Sequence, residues 1–326
     1  MIDSGLLNSD FFRYSFRFGT QGLPHKPLPA CQSLFLFKRS DLKPVADFDE
    51  RLHELILAAF REDVGDGDHS SLAIIPADAK GKAVLKIKQD GVLAGVDIAR
   101  HIFLQREPNA VFIPLKEDGQ EMTAGEEAFT IQASVHTLLV CERVVLNCMQ
   151  RMSGIATLTR QFVDAISGYS SRILDTRKTT PNFRILEKEA VRIGWGMNHR
   201  FGLFDMIMLK DNHIDFCGGI VKALDRAREY SSRYKKALRI EIEVRSLKEV
   251  EEVLNSGKAD RILLDNFNPE LLKKALILVQ GRLETEASGG INLDNVREYA
   301  ATGVDFISIG ALIHQARSLD LSLKAV

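Results

Sequence analysis

Residues 261–290 read RILLDNFNPELLKKALILVQGRLETEASGG. Arg261–Leu264 and Glu284–Ala287 have the length and apolar content of buried strands, and the stretch between them is helical in pattern. Successive strands joined by a helix are typical of parallel sheets, because a parallel connection must cross back over the sheet. Both strands end in polar or glycine residues, Asp265-Asn266 and Ser288-Gly289-Gly290. The stretch therefore predicts a parallel α/β architecture whose strand ends carry functional groups.

The same unit recurs through the second half of the chain. Six strands in a row with helices between them predict either an open doubly wound sheet or a closed α/β barrel. In βα barrels the loops at the carboxyl ends of the strands build the active site, and phosphate binds at the last strands. The predicted strands are Arg172–Leu174, Asp205–Leu209, Leu238–Val244, Arg261–Leu264, Glu284–Ala287 and Val304–Ile309.

The first half predicts a separate α+β module. It opens at Asp49 with apolar residues at helical spacing from Leu52 to Phe60. Val135–Ile166 is helical in pattern, and Ser153-Gly154 predicts a break there between two helices and between domains. The acidic loop Glu62–Asp68 does not follow the ligand order of a calcium loop, so we expect a solvated turn. Short strands are predicted at Ala83–Lys88, Val92–Val96, Val111–Pro114 and Ala128–Ala133, with a helix at Asp97–Gln105.

Composition excludes several classes of partner. The chain has 43 Lys and Arg against 44 Asp and Glu, so it offers no general basic field for nucleic acid or an anionic membrane. It also lacks the run of about 18 apolar residues that a membrane span needs. Its 4 cysteines form no C-x-x-C pair, which argues against zinc and fits a reducing cytoplasm. We therefore expect a cytoplasmic protein with a small-molecule partner.

The N-terminal segment differs from the rest. Residues 1–40 interleave phenylalanine with arginine and show no extended periodicity. A transit peptide is the alternative, which Asp3 and Asp10 weaken. We expect residues 1–47 to be a disordered or accessory extension.

A local cationic excess lies within this balanced chain. Between Glu142 and Lys210 there are 11 Lys or Arg against 6 Asp or Glu. Arginine binds carboxylates through two parallel hydrogen bonds and lysine acts as a point charge on phosphate, so the cluster suits a substrate with several anionic groups. Solvated surface charges are the alternative. The residues singled out are Arg143, Arg177, Lys178, His199, Arg200 and Lys210.

Two further patterns accompany the cations. Glu243 and Asp265 close successive predicted strands and could hold Mg²⁺ or accept hydrogen bonds from ribose hydroxyls, with structural salt bridges as the alternative. Glu241 lies on the same strand face as Glu243. Ser288-Gly289-Gly290 would open a helical stretch, Asn292–Ala301, and cradle a phosphate. A second glycine site, Ile309-Gly310-Ala311, ends the next strand.

These motifs resemble the quinolinate phosphoribosyltransferases, from about Leu52 to the C-terminus. Many uncommon motifs in a fixed order make the resemblance specific. In chain order they are Glu142-Arg143 with Leu146-Asn147, Ser153-Gly154-Ile155-Ala156-Thr157, Asp175-Thr176-Arg177-Lys178-Thr179, Asn198-His199-Arg200, Lys210-Asp211-Asn212-His213, Glu241-Ile242-Glu243-Val244, Leu264-Asp265-Asn266-Phe267, Ala287-Ser288-Gly289-Gly290-Ile291 and Ile309-Gly310-Ala311-Leu312.

The resemblance implies an α/β fold with an N-terminal α/β sandwich domain (48–152), a C-terminal six-stranded α/β barrel (153–315) and a tail (316–326) that packs back on the first domain. It also implies a homodimer with shared active sites, in which Arg143 reaches the partner's site. The implied reaction joins quinolinate to phosphoribosyl pyrophosphate with decarboxylation, and Mg²⁺ is the implied cofactor.

The resemblance also assigns roles to residues. Lys178, Lys210, Glu243 and Asp265 would be catalytic, with Glu243 and Asp265 also on the metal. Arg177, His199, Arg200 and Lys210 would bind the dicarboxylate and neighbouring phosphates, and Lys178 the phosphoribosyl donor. Thr176 would also be a substrate-binding residue. The 5′-phosphate would bind at Ser288, Gly289 and Gly290 and at Ile309, Gly310 and Ala311.

Three positions depart from the family pattern. Trp195 and Asn182 stand where the family has glycine, and Ile313-His314-Gln315 replaces T-H-S. None of these changes removes a charged contact. Alternatives are a relative acting on another base, either the molybdenum-transport-associated paralogue or a nicotinate phosphoribosyltransferase, and a non-catalytic sensor of phosphoribosyl compounds.

Overall fold

The structure is a computed structural model that describes residues 47–234 and 237–326. The predicted N-terminal extension, apart from residue 47, lies outside the described residues, as does Cys31. Cys141 and Cys148 are buried free thiols. No helix in the described ranges is long and apolar enough to cross a bilayer.

An antiparallel sheet in the order β12-β1-β5-β3 forms the centre of the first half. Phe103, Phe112 and Phe129 pack together on it, with ring centroids of the last two 4.5 Å apart. The last strand of the chain, β12 (Leu321–Ala325), pairs with β1 from Ala83↔Ala325 to Ile87↔Leu321. The other elements are α1 (Phe48–Val64), α2 (His69–Ile74), β1 (Lys80–Ile87), β2 (Gly91–Val92), α3 (Val96–Arg106), β3 (Val111–Pro114), β4 (Glu121–Met122) and β5 (Glu127–Ser134).

The predicted strand Val92–Val96 is wrong beyond its first residue. Leu93 exchanges backbone hydrogen bonds with Gly119 and Gln120 in a loop, and Gly95 takes a φ of 99°. Val96 then begins α3, with its N–H donating to Asp118 Oδ1 at 2.9 Å. The buried apolar run thus belongs to a loop and a helix start, which periodicity alone does not distinguish from a strand.

The predicted helix break at Ser153-Gly154 is also wrong, because α4 runs unbroken from Val135 to Ala165. Both residues serve packing. Ser153 Oγ accepts from Ala94 N at 3.0 Å, and the C-terminal tail crosses the helix at Gly154. A methyl group on Gly154 would lie 2.0 Å from the carbonyl oxygen of Arg317. The glycine is required for close approach and not for a turn.

We expect Gly154→Ala to destabilise the fold by about 1–3 kcal/mol, because the tail must move even though alanine favours a helix. Gln161→Ala, an exposed change on the same helix, should leave stability nearly unchanged. Chemical denaturation of both variants measures the difference. Equal midpoints for Gly154→Ala and the wild type would contradict the close contact.

The second half forms the predicted six-stranded α/β barrel. Its strands are all parallel, in the order β6-β11-β10-β9-β8-β7. The edge between β6 and β7 is filled by a single bridge, Leu174↔Met197. The elements are β6 (Arg172–Leu174), α5 (Arg184–Ile193), β7 (Ile207–Leu209), α6 (Asp211–Cys217), α7 (Ile220–Arg233), β8 (Ile240–Val244), α8 (Leu247–Ser256), β9 (Arg261–Asp265), α9 (Pro269–Val279), β10 (Glu284–Ser288), α10 (Val296–Ala300), β11 (Phe306–Ser308) and α11 (Ala311–His314).

One predicted helix starts later than expected. The helical stretch after Gly290 begins at Val296 and not at Asn292. Asn292 and Asn295 hold the intervening turn with side-chain bonds to the backbone, including Asn295 Nδ2 to Gly290 O at 3.1 Å. Asparagine favours such local bonds over helix. The Ser288-Gly289-Gly290 loop therefore does not itself form a helix N-terminus.

Candidate active site

The carboxyl ends of the barrel strands bring the predicted residues to one rim, since all six strands run in the same direction. Thr176, Arg177 and Lys178 follow β6, and His199 and Arg200 follow the bridge at Met197. The β6 and β11 loops lie in contact, because a Cβ on Gly310 would lie 3.0 Å from Lys178 Cδ and 3.2 Å from His314 Nε2. The remaining rim residues are Lys210 after β7, Glu243 in β8, Asp265 in β9, Ser288 in β10, and Ile309, Gly310 and Ala311 after β11.

Glu243 and Asp265 form an acidic pair with a cation beside it. Burial raises the pKa of Glu243, and the charge of Asp265 raises it further. Burial likewise raises the pKa of Asp265, while Lys210 opposes the shift. Lys210 Nζ lies 3.9 Å from Glu243 Oε2 and is half exposed. This part of the rim concentrates negative charge facing solvent.

The loop after β10 has a backbone that requires glycine. Gly289 has a φ of 99°, and a Cβ there would lie 2.2 Å from Asn266 Oδ1. Asn266 also takes a positive φ, 56°, and its N–H donates to Ser288 O at 2.8 Å. The ends of β9 and β10 are thereby joined in a loop with no room for a larger residue at 289.

His199 points into the barrel interior, where its Nε2 lies 3.0 Å from Glu241 Oε2 and 3.4 Å from Glu286 Oε2. Arg261 donates to Glu286 at 3.0 Å. Burial alone lowers the pKa of His199, but the two carboxylates outweigh it and raise the pKa to about 9. Nδ1 lies 2.7 Å from the N–H of Arg200, which suits a neutral ring. Two buried charges outweigh one neutral hydrogen bond, so we take the imidazolium as the form at neutral pH.

We expect the His199 ring to titrate near pH 9, well above the roughly 6.5 of an unperturbed histidine. Because its folded pKa is raised, the stability it contributes is complete below about pH 6.5 and is lost as pH rises through about 9. NMR titration of histidine-labelled protein measures the midpoint. Glu241→Gln should lower it, whereas a midpoint near 6.5 in the unaltered protein would contradict the imidazolium.

A second buried pair lies behind the rim. Lys188 Nζ donates to Asp175 Oδ1 at 2.5 Å, and both side chains have 0% exposure. Asp175 Oδ1 also accepts from His199 N at 2.8 Å, and Lys188 donates to His199 O at 3.2 Å. Burial raises the pKa of Asp175 to about 6, against the opposing charge of Lys188. Sequence reasoning missed Lys188, although a lysine on the buried face of an amphipathic helix was a signal.

A third network, also missed, ties the loops to α4. Glu187, with 0% exposure, accepts from Arg151 at 2.9 Å and from Thr180 N at 2.8 Å. Arg151 also donates to the carbonyls of Ile313 and Ala316 at 2.8 Å each. The loops after β6 and β11 therefore share one arginine.

Arg143 stands apart from this group. It is exposed on α4, on a stripe with Leu139 and Asn147 at four-residue spacing. Among the contacts of the described residues, none joins it to the rim.

Two of the departures from the family pattern, Trp195 and Asn182, share a backbone conformation. Trp195 has a φ of 74° and Asn182 a φ of 62°, so both occupy the left-handed region that glycine adopts freely. The Trp195 ring stacks under Arg160, 4.4 Å from its guanidinium. Lys188, His199 and their neighbours keep the hydrogen bonds described above despite this substitution.

Comparisons with known proteins agree with the fold. The family model described as quinolinate phosphoribosyl transferase, C-terminal domain, matches residues 155–324, and the N-terminal domain model matches residues 68–153. The nicotinate-nucleotide pyrophosphorylase (carboxylating), chloroplastic, of Oryza sativa subsp. japonica is 42% identical over 312 residues, 91% of this chain and 84% of the relative. The probable nicotinate-nucleotide pyrophosphorylase (carboxylating) of Bacillus subtilis is 41% identical over 273 residues, 84% of this chain and 93% of the relative.

Among solved structures, NadC from Streptococcus pyogenes superposes with a TM-score of 0.80 at 40% identity, covering 85% of this chain and 98% of that one. Fold, rim and relatives together define an α/β-barrel phosphoribosyltransferase. The chain belongs to the quinolinate phosphoribosyltransferase family.

Proposed function

We propose that this protein transfers the phosphoribosyl group of phosphoribosyl pyrophosphate to quinolinate, releasing pyrophosphate and CO₂ and yielding nicotinate mononucleotide, a step of de novo NAD biosynthesis. The observation that carries the proposal is the group of cations on the rim, Arg177, Lys178, Arg200 and Lys210, beside the His199 segment. The chain also matches a nicotinate-nucleotide pyrophosphorylase and a quinolinate phosphoribosyltransferase over most of its length. The cytoplasmic location stays a prediction.

The rim suits a dianionic ring acid next to a phosphorylated sugar. Arg177 and Arg200 lie close enough that the charge of Arg177 lowers the pKa of Arg200, secondary to the effect of burial. Such crowded guanidinium groups are stabilised by carboxylates that bind two hydrogen bonds at once. Lys178, packed against Gly310, lies where a phosphate of the donor would sit between the β6 and β11 loops.

The chemistry follows from the charges. The pyridine nitrogen forms a bond to C1′ as the bond from C1′ to pyrophosphate breaks. Lys178 and Lys210 stabilise charge on the departing oxygen, and Glu243 and Asp265 face the electron-poor sugar. The N-alkylated ring then accepts the electron pair left when CO₂ departs from the carbon beside the nitrogen, and a proton takes its place.

Glu243 and Asp265 have the donor set that suits Mg²⁺. Two half-buried carboxylates with raised pKa values repel each other, and a hard divalent cation prefers such oxygen ligands. When bound there, the ion would neutralise charge on pyrophosphate. We therefore propose Glu243 and Asp265 as its ligands.

We further propose a homodimer in which Arg143 serves the partner's site. The support is its exposure on α4, where no hydrogen bond or ion pair of the described residues involves its side chain.

The enzyme should use quinolinate far better than nicotinate. Nicotinate lacks the second carboxylate, so an arginine would be left unpaired at roughly 1–3 kcal/mol each, or about tenfold or more in kcat/KM. An ultraviolet assay of nicotinate mononucleotide formation, run with and without Mg²⁺, measures kcat/KM for each of the two acids. Equal kcat/KM for the two acids would overturn the assignment.

Arg143→Ala and Lys178→Ala should each be inactive alone and should complement each other when mixed. Random exchange puts half of the dimers in mixed form, each with one intact site, so about a quarter of wild-type activity should return. The two variants are co-expressed and turnover is measured. Mass spectrometry verifies that mixed dimers have formed. If they have formed and no activity returns, Arg143 acts within its own chain and not in the partner's site.

A further inference from the structure

Next to β6 the barrel edge is joined by an isolated bridge, Leu174↔Met197, and two groups of residues proposed to bind the substrates lie on either side of it. Arg177 and Lys178 follow β6, whereas His199 and Arg200 belong to the segment that bridges toward β7. Backbone hydrogen bonds at this edge are few: Met197 N to Ile173 O at 2.8 Å and Asp175 N to Met197 O at 3.1 Å. The distance between the two groups therefore depends on the other contacts that hold the segment before β7 in place.

The buried pair Asp175–Lys188 holds it at several points. Asp175 accepts the N–H of His199, and Lys188 donates to the carbonyl of the same residue, so both backbone polar groups of His199 are fixed. The Asn198 side-chain amide lies beside the pair, and with its nitrogen turned toward them it donates to Asp175 Oδ2 at 2.8 Å and to Lys188 O at 2.9 Å. Asp175 also directly precedes Thr176-Arg177-Lys178.

The free energy cost of burying two charges indicates that this pair does more than fill space in the core. Removing two charges from water is costly, and apolar residues of similar volume commonly replace a buried ion pair without loss of stability. Directional hydrogen bonds to a single residue's N–H and C=O, by contrast, fix position in a way that apolar contacts do not.

We propose that Asp175 and Lys188 are positioning residues that close the open edge of the barrel and set the distance between Arg177–Lys178 and His199–Arg200. The inference rests on the proposed function for its substrate. It adds to that function the contacts that hold the residues for the dicarboxylate and the residues for the phosphoribosyl donor at the distance at which both can bind.

The test compares Asp175→Asn, Lys188→Met and the double variant. Each single variant buries an unpaired charge and should lower Tm by several degrees. The double variant buries no charge and should recover most of the Tm, yet its kcat/KM for quinolinate should stay 10- to 100-fold low, since small misplacements of binding groups cost that much. Arg192→Met breaks the partly buried salt bridge between Arg192 and Glu189 on the same helix, α5, and is the matched control, with unchanged kcat/KM.

A double variant with wild-type kcat/KM would overturn the proposal and leave a purely structural pair. If the double variant does not fold, Asn198→Ala provides the second test, because it removes one donor to Asp175 without stranding a charge. It should lower kcat/KM at nearly unchanged Tm, and unchanged kcat/KM would count against the proposal.

Failure of the proposed function is recognised separately. If the unaltered protein makes no nicotinate mononucleotide, the same variants are assayed for pyrophosphate binding through the fluorescence of Trp195, the single tryptophan of the chain. Binding weakened at least tenfold in the double variant but not in Arg192→Met would support the positioning role without the reaction. Equal binding in all variants would overturn it.

Discussion

The rest of the structure depends on helix α4, a continuous rod of 31 residues against which both halves of the chain pack. On one side it contacts α3 and the antiparallel sheet, and on the other β6 and α5 of the barrel. Its small residues set how near these partners come. Ser153 Oγ accepts a hydrogen bond from the backbone N–H of Ala94, and Gly154 leaves room for the C-terminal tail. Arg151, a larger residue of the same helix, connects the loops after β6 and β11. A shift of this helix would move the walls of the pocket together with the core.

The interior of this barrel is polar, whereas the interior of a (β/α)8 barrel is packed mainly with branched apolar side chains. Glu241, Arg261 and Glu286 fill it beneath the rim, and the ring of His199 completes the set from above. The outward faces of the same strands, such as Ile240 and Ile242, supply the apolar contact with the helices. The apolar layer between the strands and the helices therefore stabilises the barrel, and the centre of the barrel holds charged side chains.

Much of this could be predicted from the sequence. Short apolar strands ending in polar or glycine residues gave the parallel α/β architecture and its rim, because parallel strands must end on the same side. The closed barrel, as opposed to an open sheet, came from the resemblance to the family. The errors at Leu93–Gly95, Ser153-Gly154 and Asn292 have another origin. At Asn292 local side-chain bonds to the backbone delay the start of the helix, whereas at Leu93–Gly95 and Ser153-Gly154 the residues make contacts with segments far away in the chain. The networks around Lys188 and Glu187 were missed for the same reason, since their partners lie on other elements.

The pairing of β12 with β1 has a consequence for how the chain is made. The N-terminal sheet needs its last strand from Leu321–Ala325, and the whole barrel lies between the two paired strands. During synthesis the first half of the protein therefore remains incomplete, with one side of β1 unpaired, until Leu321–Ala325 has been made. Such a long-range pairing implies slow completion and an edge exposed to misassembly in the nascent protein. Changes at Leu321–Ala325 would thus affect the domain that was synthesised first.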